Sequence, residues 1–157
     1  MINWNYDPND IEEYDPITPG VYRVRIEEAE EELSKTGRQM IVMKLKLSGL
    51  NALVWHNMVF LEEYSRTTNR KLHEIFVSFG ITEGDLNPEH WRGKVGAAEI
   101  EDEEKDGRKR SIVKKFIARD KQNALPAWNE KSGNSNAPAW ESNINPNMLD
   151  TNSNIPF

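Results

Sequence analysis

The chain has 157 residues, 37% of them apolar and 29% charged, a water-soluble composition with room for one domain of ordinary size plus extensions. It contains no cysteine, which excludes a disulfide framework, a thiolate-bound zinc and a thiol nucleophile. The net charge of −6 argues against a nucleic-acid partner until its distribution along the chain is considered.

Residues 1–19 carry five acids and no base, and residues 120–157 carry four acids and two bases. Residues 20–119 hold 18 Lys and Arg against 17 Asp and Glu, so only the middle of the chain lacks an acidic excess. An acidic chain still binds DNA if its bases converge on one groove. No apolar run approaches the roughly 18 residues of a membrane span. The opening Met1-Ile2-Asn3-Trp4-Asn5-Tyr6-Asp7 lacks the basic start and apolar stretch of a signal peptide. The expectation is a cytoplasmic protein with no membrane contact.

Residues 1–19 read as a polar lead-in with turns at Asp7-Pro8, Asp15-Pro16 and Pro19-Gly20, pinned to the core by Trp4, Tyr6 and Tyr14. A first strand is predicted over 20–28, with Tyr22, Val24 and Ile26 on one face and Arg23 and Arg25 on the other. Ser34-Lys35-Thr36-Gly37 is a turn. The second strand, 39–47, sets Ile41, Met43, Leu45 and Leu47 against Met40, Val42, Lys44 and Lys46. A third, 52–61, is apolar on both faces and leaves its register open. Residues 67–79 have helical spacing, with Leu72, Ile75, Phe76 and Phe79 on one stripe, Ser65 or Thr67 as N-cap and Gly80 as C-cap. Strands over 93–101 and 109–118 follow, joined through a tight turn at Asp106-Gly107. Beyond 119 the chain is Asn-, Ser- and Pro-rich, which predicts a disordered tail over 120–157.

Five short strands with one helix between the third and fourth is the element order of an OB-fold, a mainly β, five-stranded barrel. A generic small α+β domain has the same string. The domain core is set at 20–119.

Several stretches resemble a widespread group of phage-encoded single-stranded-DNA-binding proteins. They are the opening strand Pro19-Gly20-Val21-Tyr22-Arg23-Val24-Arg25-Ile26-Glu27-Glu28-Ala29-Glu30, the Ser34–Gly37 turn, and Lys44-Leu45-Lys46-Leu47. The same holds for the third strand with Trp55 and Phe60, the Lys71-Leu72 helix ending Phe79-Gly80, and Gly93-Lys94. The resemblance covers residues 1 to about 119 and implies an OB-like fold that binds single-stranded DNA in phage replication or recombination. The last residues, Ile155-Pro156-Phe157, resemble the tip of bacterial single-stranded-DNA-binding proteins, although Thr151-Asn152-Ser153-Asn154 stands where that group has acids. This second resemblance implies recruitment of replication or recombination proteins, phage-encoded or from the host, through Ile155, Pro156 and Phe157.

Single-stranded DNA is gripped by cations on phosphates and by aromatic rings stacked on bases. The candidates are Arg23, Arg25, Lys44, Lys46, Lys94, Arg108, Lys109, Arg110, Lys114 and Lys115, with Trp55, Phe60 and Phe116. Arg23, Arg25, Lys44 and Lys46 share one sheet surface if the faces of the first two strands coincide; otherwise each is a solvated strand position beside a Glu. Arg108-Lys109-Arg110 reads either as a ligand-binding loop between strands 4 and 5 or as a charged hairpin tip paired with Glu101–Glu104. Trp55 and Phe60 have opposite parity, so at least one belongs to the core. Trp91 is expected to pack beneath the helix. Trp128 and Trp140 sit in an internal repeat, Leu125–Glu130 against Ala137–Glu141, suited either to bases or to a partner protein.

Catalysis is not expected. His56, His73 and His90 lie on different elements without metal-ligand spacing, and the acids of Glu27–Glu32, at a strand end, read as a solvated turn rather than the metal site of a nuclease. There is no phosphate-binding Gly-Lys-Ser/Thr loop and no nucleophile elbow. The expectation is a non-enzymatic, cofactor-free module that coats single-stranded DNA without strong sequence preference; a homo-oligomer is compatible with it. The alternative is a phage adaptor that binds a host replication protein and mimics the host protein's tail.

Overall fold

The computed structural model describes residues 1–130. Five strands form one antiparallel sheet: β1 (Gly20–Leu33), β2 (Gln39–Leu47), β3 (Leu53–Val59), β4 (Val95–Lys105) and β5 (Arg108–Phe116). Helix α1 (Ser65–Phe79) and the single turn α2 (Pro88–Trp91) lie between β3 and β4. The order across the sheet is β3-β2-β1-β4-β5, which makes β1 the central strand, paired with both β2 and β4. The sheet curls until its edges meet. The His56 ring of β3 stands edge-on to Phe116 of β5 with centroids 5.1 Å apart, and Phe116 meets Phe79 of α1 at 5.5 Å. This is the expected five-stranded OB-like barrel with its helix between the third and fourth strands. Among the described residues no helix is long and apolar enough to cross a membrane.

The core follows from strand alternation. Ile41, Met43, Leu45 and Leu47 of β2 are buried, and Lys44 and Lys46 face the other way. In β1, Val24 and Ile26 point inward, and the inward series resumes at Ala29 rather than at residue 28. The cause is a bulge: Glu27 is extra between the pairs Ile26↔Leu45 and Glu28↔Lys44, and one extra residue inverts the parity beyond it. The acids of Glu27–Glu32 therefore continue a long strand where a turn was expected, and Glu28, Glu30, Glu31 and Glu32 are solvated as expected. In β3 the two-sided apolar pattern resolves with Val54 and Met58 inside and Trp55 outside.

Helix α1 buries Leu72, Ile75, Phe76 and Phe79, as its spacing predicts. Neither Ser65 nor Thr67 caps it; the helix starts at Ser65 without a side-chain cap, and Thr68 Oγ1 instead meets the Leu61 backbone at 3.3 Å. Burying each large apolar side chain stabilises by about 1.5–3 kcal/mol, against about 1 kcal/mol for a cap, so the stripe decides that the helix forms. Gly80 ends it in the left-handed region at φ 69°, its N–H donating to Phe76 O. Trp91 packs edge-on to Phe76 beneath the helix and donates its indole N–H to Asp85 O at 2.9 Å. The helix meets β4 at Gly96, where a Cβ would come within 2.8 Å of the Phe79 ring.

Two expectations about the ends of the core are corrected. Trp4, Tyr6 and Tyr14 do not pin the lead-in; all three are exposed. It is held by polar bonds instead, with Asn51 N donating to Asp15 Oδ2 at 2.8 Å and Asn51 Nδ2 to Glu13 O at 2.6 Å. At the other end the folded structure does not stop at 119. A 3-10 turn at Arg119–Lys121 leads to Gln122, which is 4% exposed and donates to Ser78 O at 3.0 Å and Ile117 O at 2.8 Å. The chain then lies across the sheet as far as Glu130, with Asn129 N donating to Ser48 Oγ and Gly49 N donating to Asn129 O. Of the tail predicted over 120–157, residues 131–157 lie outside the described residues, including Trp140, Ile155, Pro156 and Phe157.

Candidate nucleic-acid interface

The outward faces of β1, β2 and β3 form one surface. Because β1 and β2 pair with Arg25 opposite Lys46, the cations of both strands fall on the same side. Lys44 stands opposite Trp55 of β3, with its ammonium 5.7 Å from the ring centroid, and 4.0 Å from a Glu28 oxygen. Trp55 is 56% exposed, a large flat ring open to solvent beside a cation. Phe60 is instead packed against the core, which settles which of the two aromatics faces outward.

The surface is covered in part by the chain itself. Residues 122–130 cross it, and the first copy of the Pro-Ala-Trp repeat settles on the cations. The Arg25 guanidinium lies over the Trp128 ring at 4.7 Å. The Glu130 carboxylate takes Lys46 Nζ at 2.9 Å on one oxygen and Arg25 Nη1 at 2.9 Å on the other, and the Trp128 indole N–H donates to it at 3.1 Å. Partial burial raises the Glu130 pKa, but the bonds from Lys46 and Trp128 and the nearby charges outweigh it, leaving the group below the ordinary glutamate value. Partial burial likewise works against the Arg25 charge, and Glu27 and Glu130 more than offset it, so its pKa is raised.

Arg23 has a different part. Its Nε donates to Pro126 O at 2.7 Å, and its Nη groups reach Gln122 and Leu125 at 3.3–3.4 Å. It clamps the crossing segment and is not open to a phosphate. Sequence reasoning missed Gln122, Trp128 and Glu130; the repeat was visible, but its docking rests on contacts about 80 to 105 residues apart along the chain.

The remaining predicted residues do not converge on this surface. β4 and β5 form a longer hairpin than expected, closed by Asp106 and Gly107, both at positive φ. Its pairing sets Glu103 opposite Arg110 and Glu104 opposite Lys109. Arg110 bonds Glu103 at 2.7 Å and Lys109 meets Asp102 at 3.3 Å, so two of the three tip cations are matched by acids. Arg108 sits at the turn. Lys94 leads into β4 from α2 near Asp85, whose carboxyl is lowered chiefly by the Asn87 N–H and the His90 ring and partly by the Lys94 charge. Phe116 is buried at the barrel seam and offers no free face for stacking, while Lys114 and Lys115 beside it share Glu99 at 3.8 Å each.

No curated protein matches the chain. A family model described as "Protein of unknown function (DUF669)" matches residues 4–126, a stretch that includes all five strands and runs into the segment docked on the sheet. The chain is a member of the DUF669 family.

Proposed function

We propose that the outward face of β1, β2 and β3 binds single-stranded DNA without strong sequence preference, as a non-enzymatic module of phage DNA replication or recombination acting in the host cytoplasm. The carrying observation is the run of side chains on that face: Arg25 beside Lys46, and Lys44 beside the exposed Trp55. A single strand offers alternating phosphates and flat bases; ammonium and guanidinium groups take the first, and an open indole stacks on the second. Stacking and phosphate contacts carry no base code, hence the tolerance of sequence. A strand seated here takes the place of Glu130 on Arg25 and Lys46. Recruitment of replication or recombination proteins through Ile155, Pro156 and Phe157 is the second half of the proposal and rests on the sequence alone.

The test is a titration of fluorescent poly-dT at several salt concentrations, with duplex as competitor. Expected are a preference for the single strand and an affinity whose logarithm falls with log salt at about 0.7 per phosphate contacted. Changing Lys44 and Lys46 together to Glu should abolish binding and leave the barrel folded, although it releases Glu130 from Lys46. Absence of binding to poly-dT, or a preference for duplex, overturns the reading in favour of the adaptor role.

A further inference from the structure

A cleft of about 430 Å3 opens on the barrel seam, between α1, the edge strands β3 and β5, and the turn at Arg119–Lys121. That volume is in the range of small-molecule sites, roughly 300–1,000 Å3. Its floor is apolar: Val113, Phe116 and Ile117. Five cations line it: Arg70 and Lys71 from α1, Lys114 and Lys115 from β5, and Lys121. The acids nearby answer only part of this charge. Glu74 meets Arg70 at 3.8 Å, and Glu99 is divided between Lys114 and Lys115. Among the described residues neither Lys71 nor Lys121 has a carboxylate within ion-pair distance, and both are exposed.

Five cations and two carboxylates leave three net positive charges in one hollow of a chain whose net charge is −6. Like charges brought together repel, and a concave wall of low polarity concentrates their field. An anion with several acceptor oxygens relieves that repulsion, and ammonium groups on flexible stems suit a phosphate as point charges. Burial, and then the Lys71 charge, hold the His56 imidazole uncharged with its pKa pushed down to about 4, so the β3 side of the cleft is lined by a neutral ring. A greasy floor under a basic rim fits a flat ring joined to a phosphate.

We propose that this seam cleft is a second binding site, taking the phosphate of a nucleotide on Lys71, Lys114, Lys115 and Lys121 with its base against Val113 and Ile117. None of these residues lies on the outward face of β1, β2 and β3, so the proposal goes beyond the DNA reading and does not depend on it. The phosphate can come from a free nucleotide or from a strand that continues around the barrel, and the experiment separates the two.

The full chain, labelled with 15N, is titrated with dTMP, thymidine and inorganic phosphate, and the amide shifts are followed. Expected are saturable dTMP shifts at Val113, Phe116, Ile117 and Lys121, weaker ones with phosphate, and none with thymidine. The Lys71→Gln/Lys121→Gln variant should bind dTMP more weakly by about tenfold or more, since it removes two of the four ammonium groups that hold the phosphate. Its melting temperature should be unchanged, because both side chains are exposed. The Lys44→Glu/Lys46→Glu variant should keep dTMP binding at the seam whether or not poly-dT binding is lost, so failure of the outward face and failure of the cleft are read separately. A short oligo-dT that shifts the same amides more tightly than dTMP identifies a strand as the source; one that leaves them unmoved identifies a free nucleotide. Equal shifts with thymidine, shifts confined to Lys44, Lys46 and Trp55, or no loss in the double Gln variant overturn the proposal.

Discussion

Glu130 and Lys46, 84 residues apart in the chain, are joined by a 2.9 Å bond between carboxylate and ammonium on the outward face of the barrel. With Trp128 under Arg25, the chain sets a carboxylate and an aromatic ring where the proposed ligand would set a phosphate and a base.

Replacing Glu130 with Gln removes that competition. Affinity for poly-dT should rise by about two- to fivefold, the equivalent of the roughly 1 kcal/mol or less that an exposed ion pair contributes. Fluorescence anisotropy of labelled poly-dT measures it. A fall in affinity would mean that Glu130 helps to build the site instead of competing for it.

The lowered Glu130 pKa has a pH signature. A carboxyl whose folded value lies below its unfolded one stabilises the docked segment above the unfolded value, and this contribution is lost as pH falls through the folded one. The Trp128 indole N–H resonance should therefore keep its docked position at pH 5 and move only below the ordinary glutamate value of 4.5. A transition centred above 4.5 would show that the carboxylate is not held by Lys46 and Arg25.

Trp55 should matter for binding and little for folding. Its ring is more than half exposed, so Trp55→Ala removes little buried surface. Loss of one stacked base costs about 1–3 kcal/mol of affinity. Poly-dT titration and thermal melting of the same variant separate the two effects, and an unchanged affinity would remove Trp55 from the site.

His56 governs stability on the acid side. Its folded pKa of about 4 lies below the 6.5 of the free ring, so the unfolded chain binds a proton first. Stability contributed by the neutral ring is intact above pH 6.5 and declines as pH falls toward 4, by about 3 kcal/mol in all. Denaturant unfolding of the protein and of His56→Phe between these limits should show a shallower pH slope in the variant. Parallel slopes would mean that His56 is open to water.

Gln122 is the last buried residue of the described chain and anchors the segment that follows it. Gln122→Ala leaves Ser78 O and Ile117 O without their donor, which should destabilise the protein by about 1–3 kcal/mol. Chemical denaturation reads this directly. A loss near zero would return the core boundary to residue 119.

Much of the barrel was legible in the sequence because strand alternation and helical spacing are local properties. Ile41, Met43, Leu45 and Leu47 declare a buried face by their period alone, and Leu72, Ile75, Phe76 and Phe79 declare a helix by theirs. Asp106-Gly107 and Gly80 announce a turn and a helix end through backbone conformations that few residues tolerate. What the pattern could not carry was register. Trp55 and Phe60 were ambiguous until the pairing of β2 with β3 set Trp55 opposite Lys44 on the outward face, and Phe60, just past the end of β3, packed against the core. The bulge at Glu27 broke a parity that no residue in the strand had called into doubt.

The sites depended most on tertiary structure. That Arg23, Arg25, Lys44 and Lys46 share a strand face each was readable, but that the two faces coincide follows only from Arg25 pairing with Lys46. Residues 122–130 open a stretch, 120–157, that reads as unfolded because it is Asn-, Ser- and Pro-rich and shows no structural period. Their order comes instead from Arg23, Arg25, Lys46, Ser48 and Ser78, donors and acceptors supplied by strands and a helix far away in the chain. The seam cleft is likewise assembled from α1, β3, β5 and the turn after it, elements that become neighbours only when the sheet closes. Local periodicity thus determined which residues form strands, helix and core, while the closing of the barrel decided which charges meet, because charge convergence depends on distance in space and leaves no period in the chain.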